Sequence, residues 1–454
     1  MLVINFGLFI FMNFESIAEN IIKKTISAGA TDCDVVLAEG SGKSISCRLQ
    51  KIEDIEESND KTLGIRALIG NQQAFVSSSD IEEEKLNESI LKVVEMAKLA
   101  PKDDTACLGD KKFFENNFED LNLHQEEETK TDLLIDAVKE CEEIALSTKG
   151  ISNSEGAAAS YSTGEFFLAT SNGFRGGYKS STNSISCSVL AGEGLNMERD
   201  YDYDVSRHLN DLQKPSLIGK SAAEKAIQRL NPRKVKSCKT TVVFDKRISN
   251  DLLGYFASAI SGPAIARETS FLKDSLHKKI FSKEISIVDN PKISKGLGSR
   301  PFDGEGIKTN EKELVSNGIL NTWILNTSTA KKLNLKTTGH ASRSVGSPPG
   351  VRTSNLYMAN GISSYEDMIN SIKSGFYATE LIGMGVNLIT GDYSMGASGL
   401  WIENGEIAYP VNEITIASNL KEMFLNLSAA NDLEFKYRSN APTLRIDGMT
   451  LAGK

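Results

Sequence analysis

Metal-assisted and nucleophilic chemistry needs imidazoles, thiolates or carboxylates that converge on one point, and this chain is sparing with the first. Its four histidines, His124, His208, His277 and His340, are followed by Gln, Leu, Lys and Ala. None precedes a glutamate, and no two are close enough in sequence to share a helical face, so a metal-binding His pair with an adjacent general base is not present. His340 stands two residues before Ser342 and four before Ser344. Neither the spacing nor a neighbouring acid supports a triad, and a polar loop residue is the better reading. Cys33, Cys47, Cys107, Cys141, Cys187 and Cys238 lack CxxC spacing, which indicates neither a zinc ribbon nor a disulfide framework. Gly383-Met384-Gly385 is half of a dinucleotide fingerprint and opens no helix. Arg343 and Arg352 flank Pro348-Pro349 and are candidates to grip a peptide carboxylate, since a guanidinium fork matches carboxylate geometry. Structural ion pairs are the alternative for both, and the favoured one.

Periodicity supplies the elements that would position these groups. Residues 13–28 place Ile17, Ile21 and Ile22 on one side and stop at Gly29, as a helix ending on a left-handed glycine does. Strand-like runs follow at 34–38, 44–49, 52–58, 63–69 and 74–77, with short polar joins such as Asn59-Asp60-Lys61 and Gly70-Asn71; the pattern predicts an antiparallel meander. Asp80 caps a helix through Leu99, with Leu86, Ile90, Val93, Val94 and Ala97 inward. The acidic stretch 102–130 reads as a surface loop, and a third helix is expected over 131–147. Strands at 152–161, 165–170, 178–190 and 197–203, a helix over 216–230 and a short strand over 240–245 complete the middle. The glycine-rich stretch 296–306, GLGSRPFDGEG, lacks the Lys-Ser/Thr pair of a phosphate loop and reads as a mobile connection. Residues 364–373 read as a capped helix ending at Gly375.

The last quarter is the most informative. Residues 386–390 and 399–403 read as strands bent by intervening glycines, Asn404-Gly405 supplies a type I′ hairpin signal, and the return strand 406–416 is expected at an edge or bulged at Pro410. Asn419 caps a helix with Leu420, Met423, Phe424 and Leu427 inward, and 443–446 reads as the last strand.

On these residues the chain resembles a known family. GDYS at 391–394, WIENGEI at 401–407, YPVNEITIA at 409–417, NLKEM at 419–423 and IDGMTLAG at 446–453 stand in the order of the C-terminal signature of the TldD/PmbA family. They are similar to its PmbA branch, also called TldE, and the chain is compatible with the resemblance from about residue 12 onward. In the TldD branch an HExxxH helix and a C-terminal cysteine hold zinc. Here the corresponding stretch, 249–256, reads SNDLLGYF, which sets Asn250 and Tyr255 at the histidine positions with Asp251 beside them. An amide and a neutral phenol are poor zinc ligands. Tyr437-Arg438-Ser439 occupies the cysteine's loop, and no cysteine follows Cys238. The loop 296–306 resembles one that borders the family's peptide channel.

Length and charge bound the rest. A chain of 454 residues exceeds one typical core, and a formal charge of −9 disfavours nucleic acid as a partner. The one basic cluster, 229–239, surrounds a proline and reads as a solvated linker. The apolar residues 1–12 lack a basic n-region and are too short to span a membrane. They are expected to precede a true start at Met12 or to lie outside the fold, and the protein is expected to be cytoplasmic. The expected fold class is α+β: an N-terminal helix and antiparallel-sheet domain over 13–215, then a larger β-rich domain with packed helices over 216–454, the boundary falling within 205–238. The resemblance implies a subunit of a zinc metalloprotease heterodimer that acts on unfolded peptides, in precursor maturation and turnover of antitoxin-like proteins. It implies no cofactor in this chain, zinc in a TldD-like sister subunit, and no membrane partner. An independent hydrolase without metal and a non-enzymatic peptide-binding homodimer are the alternatives.

Overall fold

Long alternating runs decide the first half. The computed structural model describes the backbone of residues 6–454 and, Leu195 apart, side chains from Phe14 onward. Helix α1 (Phe6–Ser27) leads into strands β1 (Asp32–Arg48), β2 (Lys51–Ile69) and β3 (Gln72–Ser78), then helices α2 (Glu83–Leu99) and α3 (Thr131–Ser147). Strands β4 (Ile151–Thr170), β5 (Arg175–Ala191) and β6 (Glu198–Ser206) and helix α4 (Pro215–Gln228) follow. The strands form one antiparallel sheet in the order β3-β2-β1-β4-β5-β6. The expected short strands merge: Asn59-Asp60-Lys61 pairs with residues 39–41 in mid-ladder, and the turn is Leu49-Gln50, both at positive φ. These polar residues are exposed strand, because at this end α3 packs over β1, β4 and β5 and leaves residues 53–60 of β2 in solvent, so polarity marked solvent rather than a turn. The expectation for residues 1–12 concerns five residues outside the described ones; α1 begins at Phe6, ahead of the expected Asn13.

Helices α1 and α2 bury Ile21, Ile90 and Val93 against Val35, Leu37 and Ile65 at one end of the sheet, while α3 and α4 cover Ile45, Ile185 and Val189 at the other. Gly219 permits that second layer, since a Cβ there would lie 2.0 Å from the Cys141 carbonyl oxygen. Helix α4 therefore packs with the first half, and residue 215 falls at its start.

The second half begins with β7 (Cys238–Phe244), α5 (Lys246–Ala259), α6 (Gly262–Ala266), β8 (Ile287–Asp289), β9 (Lys312–Ser316), β10 (Ile319–Leu320) and α7 (Thr327–Lys332). It continues through β11 (Ala341–Ser342), β12 (Gly350–Val351), β13 (Leu356–Met358), α8 (Tyr365–Asn370) and β14 (Ser374–Ile382). The last elements are β15 (Asp392–Glu403), β16 (Glu406–Asn419), α9 (Leu420–Leu425), β17 (Leu427–Ala429), β18 (Ser439–Asn440) and β19 (Leu444–Ala452). A sheet in the order β16-β15-β14-β7-β19-β17 gains a pairing of β16 with β19, which closes five strands into a ring. Asn404 and Gly405 both take positive φ at the β15–β16 turn, and ladder shifts flank Pro410, as its missing N–H requires. Two expectations are corrected. Residues 386–390 form a turn, and the strand beside β15 is β14, whose onset at Ser374 shortens the expected helix to Asn370. A smaller sheet, β10-β9-β8-β13-β18, lies apart from the ring.

The expected mobile connection 296–306 is instead buried from Gly298 through Ile307. Phe302 enters an aromatic pocket of the first half, with ring centroids 4.9 Å from Phe174, 5.2 Å from Phe118 and 5.6 Å from Tyr178. Asp303 holds the loop's return by accepting from the Glu305 and Ile307 N–H groups at 2.9 Å each, and from Ala341 N–H at 3.0 Å. Glu305 accepts from Thr327 N–H at 2.9 Å and its hydroxyl at 2.6 Å, yet burial and the adjacent Asp303 push its carboxyl up to about 7.

Phe302→Ala should lower stability by about 3–5 kcal/mol in urea unfolding, the range for emptying a packed aromatic site; a loss below about 1 kcal/mol would contradict its central place. Because the folded pKa of Glu305 lies above the unfolded value of 4.5, its contribution is full below that value and is lost as pH rises through about 7. Glu305→Gln should therefore gain about 3 kcal/mol on the wild type between pH 5 and pH 8, and a pH-independent difference would refute the shift.

Candidate functional site

Helix α5 presents the residues that the sequence singled out. Asp245 caps it by accepting from Arg247 N–H at 2.8 Å, and Ile248, Ser249, Leu252, Leu253, Phe256 and Ala259 form its buried side. The opposite side is open: Asp251, Gly254 and Ser258 are exposed, Asn250 and Tyr255 are half-buried on its flanks, and a Cβ on Gly254 would meet nothing within 4 Å. Five positions apart, Asn250 and Tyr255 diverge by about 140° around the helix axis. The Tyr255 ring meets Tyr393 edge-on at 6.3 Å, and the buried Tyr393 hydroxyl has no hydrogen-bond partner. Asp251 is exposed, yet the protein around it strips part of its carboxyl's hydration, which raises its pKa. Partial burial raises the Tyr255 phenol, and the Asp251 charge adds to it; Tyr393 is raised further, by burial first. An amide, one carboxylate and two phenols held in their neutral form are not a zinc donor set, so Asn250, Asp251 and Tyr255 do not fit the metal that the resemblance places at this helix in the sister branch. Among the described residues no group of three or more His, Cys, Asp or Glu side chains is placed to hold a metal ion.

The other candidates separate. Arg343 is buried against Asp34, which also accepts from Arg66 at 3.1 Å, so its guanidinium joins the two halves and does not face a substrate. His340 does have an acid beside it, which the sequence did not show: Nε2 lies 3.2 Å from Asp289, and Nδ1 lies 2.8 Å from the Thr338 hydroxyl. That hydroxyl already accepts from Leu325 N–H at 2.7 Å, and His340 is 2% exposed, so the trio is an internal brace without access for a substrate. Ser342 lies in β11 and Ser344 bonds Ser347, and among the described residues the His340 ring pairs with Thr338 and Asp289 instead. Arg352 is exposed, and its guanidinium meets no partner among the described residues. Arg438, in the loop noted for its missing cysteine, shares that condition. Sequence reasoning missed Arg438 as a companion of Arg352, because 86 positions separate the two numbers and only the parallel pairing of β13 with β18 aligns the segments that follow them.

Comparison with known proteins agrees with this geometry over nearly the whole chain. Profiles of the PmbA/TldA metallopeptidases match domain 1 at residues 33–100, the central domain at 124–230 and the C-terminal domain at 237–453. Metalloprotease PmbA of Escherichia coli O157:H7 is 36% identical over 432 residues, 94% of each chain. Among solved structures, a Bacteroides thetaiotaomicron protein described as a candidate modulator of DNA gyrase superposes with a TM-score of 0.89 at 28% identity, over 97% of this chain and 99% of its own. TldE of Thermococcus kodakarensis shares the fold, with a TM-score of 0.86 at 21% identity over 96% and 100% of the two chains. An α+β fold with an Asn-Asp-Tyr face on α5, matched along its length by one family, leaves a single assignment: the chain belongs to the PmbA/TldA metallopeptidases, on their PmbA/TldE branch.

Proposed function

We propose that this chain is the subunit of a two-chain metallopeptidase that shapes the chamber for unfolded peptides, while a TldD-like sister chain carries the zinc and the cleavage chemistry. The observation that carries this reading is the open face of α5. It is formed and solvent-accessible, as a catalytic face must be, yet it offers Asn250, Asp251 and Tyr255 where a zinc site needs two imidazoles. The likeness to a metalloprotease along 94% of the chain supports proteolysis as the activity of the assembly. Extended peptides suit such a chamber, because main-chain hydrogen bonds are indifferent to sequence. Precursor maturation and turnover of antitoxin-like proteins are the roles proposed for it, in the cytoplasm and without a nucleic-acid or membrane partner. Among the described residues no helix is long and apolar enough to cross a membrane.

A partner surface has a candidate next to α5. Between β14 and β15 the chain exposes Ile382 at 58%, Met384 at 100% and Ile389 at 61%. Contiguous exposed apolar side chains on a rim of polar residues are what a subunit interface covers.

On an unstructured peptide, the chain mixed with its sister should cleave and hold about one zinc per pair, whereas the chain alone should do neither. Activity of the lone chain without metal would favour an independent hydrolase, and peptide binding without turnover in any mixture would favour a binding homodimer. Met384→Asp should weaken the pairing roughly tenfold or more in sedimentation while leaving the lone chain's melting temperature unchanged, and unaltered pairing would remove this loop from the interface.

A further inference from the structure

Four arginines from distant parts of the chain meet around the buried loop. Arg207 follows β6 and donates to the Ser181 carbonyl at 3.0 Å and the Leu297 carbonyl at 2.7 Å. Arg300, within the loop and 5% exposed, donates to the Ala341 carbonyl at 2.8 Å and the Arg352 carbonyl at 3.1 Å. The stem of Arg438 lies against Gly298, where an added Cβ would sit 2.9 Å from its Cγ. Carbonyl oxygens, not carboxylates, receive the two inner guanidiniums, and the two outer ones, on Arg352 and Arg438, are exposed and reach no acceptor among the described residues.

Nearby acids do not relieve this. Asp289 and Asp303 feel the charge of Arg300, but Asp289 is bonded to His340 and Ser354, and Asp303 to three backbone N–H groups. A recess of about 330 Å³ lies beside the loop, lined by Arg207, Leu297, Asn355 and Tyr437, the last of them next in sequence to Arg438. Its acids are also engaged, Asp204 by Gln213 N–H at 2.8 Å and Asp211 by Lys295 at 2.8 Å. Partial desolvation lowers both outer guanidiniums, with the charges of Arg300 and, on Arg352, of Arg438 adding to it; Arg352 is pushed down to about 10 and keeps its charge at neutral pH. Partly desolvated charges are ordinarily paired, and two left unpaired beside one buried loop have the character of a binding site.

We propose that Arg352 and Arg438 form a carboxylate receptor for a bound peptide, taking its C-terminal carboxylate or an acidic side chain, while Arg300 and Arg207 fix the loop on which the pair rests. Two guanidinium forks suit a planar carboxylate, and a formal charge of −9 on the whole chain disfavours nucleic acid as the anion. The inference rests on the peptide reading above, and its test separates the two.

Binding of a fluorescent unstructured peptide to the full chain would be measured for an Asp/Glu-containing free acid and for its Asn/Gln, C-terminally amidated counterpart. The acidic peptide should bind roughly 10- to 100-fold more tightly, and Arg352→Gln with Arg438→Gln should abolish that preference. The double variant should melt at or above the wild-type temperature, because it removes a repulsion; a lower melting temperature would make the pair structural and overturn the proposal. In a second arm, glutarate should protect Arg352 and Arg438, but not the exposed Arg267, from phenylglyoxal, read by peptide mass mapping. Equal binding of both peptides by wild type and variant would overturn the receptor and leave the peptide reading standing. Protection by glutarate without binding of either peptide would uphold the receptor and sink the peptide reading. Failure of both arms would overturn the receptor.

Discussion

The arrangement of the two halves depends on burial of one glycine-rich loop. From Gly298 to Ile307 the chain of the second half is buried, and it sends Phe302 among the rings of Phe118, Phe174 and Tyr178 of the first half. Its backbone is tied on both sides, the Gly306 carbonyl accepting from Glu115 N–H at 3.0 Å and Lys308 N–H donating to the Phe113 carbonyl at 2.9 Å. A buried loop must satisfy its own polar groups, and Asp303 does so for the Glu305 and Ile307 N–H groups while also accepting from Ala341 N–H of β11. Glycine serves close approach here: at Gly306, with φ of 79°, a Cβ would lie 2.4 Å from the Phe174 ring.

Charge closes the seam that the loop begins. Asp34 on β1 is held between Arg66 and Arg343, and Asp200 on β6 receives Arg247 at the start of α5 through bonds of 2.7 and 3.1 Å. Both carboxylates are almost fully buried and each has a second arginine within the first half, Arg66 at 3.1 Å from Asp34 and Arg229 at 3.4 Å from Asp200, so Arg343 and Arg247 add to charges that are already compensated. The pairs therefore specify how the halves meet more than they stabilise it. A consequence is that α5 and the loop beneath Arg352 and Arg438 are fixed relative to the long sheet, the first through Arg247 and the second through Arg207, which donates to the Ser181 and Leu297 carbonyls.

How much of this was legible follows from the range of the interactions. The helices over 83–99 and 131–147 and the Asn404-Gly405 turn are local, and periodicity or a dipeptide defines them. The long β1–β2 hairpin was divided because solvent-facing polar residues in an unlayered strand look like a turn. β14 was overlooked because residues 364–373 carry a helical pattern up to its edge, and the ring that recruits it is non-local. At the site, the Asn250, Asp251 and Tyr255 positions follow from the family resemblance, which aligns one contiguous stretch, 249–256, with the sister branch's metal motif. The acid beside His340 was not legible, since Asp289 lies 51 positions upstream by number and reaches it only through the fold. Arg343 and Arg352 look equivalent in sequence, and only tertiary structure gives one of them Asp34.

With 60 acids against 51 lysines and arginines, the lack of a carboxylate at Arg352 and Arg438 is a matter of placement and not of supply. Surface lysines elsewhere find acids readily, as Lys24 finds Glu83 and Lys295 finds Asp211. Holding two guanidiniums together without one is unfavourable in the free chain, and any bound carboxylate recovers that repulsion as affinity. A neutral ligand recovers nothing, so the pair discriminates by charge even where the rest of a peptide is held by main-chain hydrogen bonds that ignore its sequence. In the assembly proposed above, such a division would set backbone contacts to reach along a peptide and one charged anchor to select it.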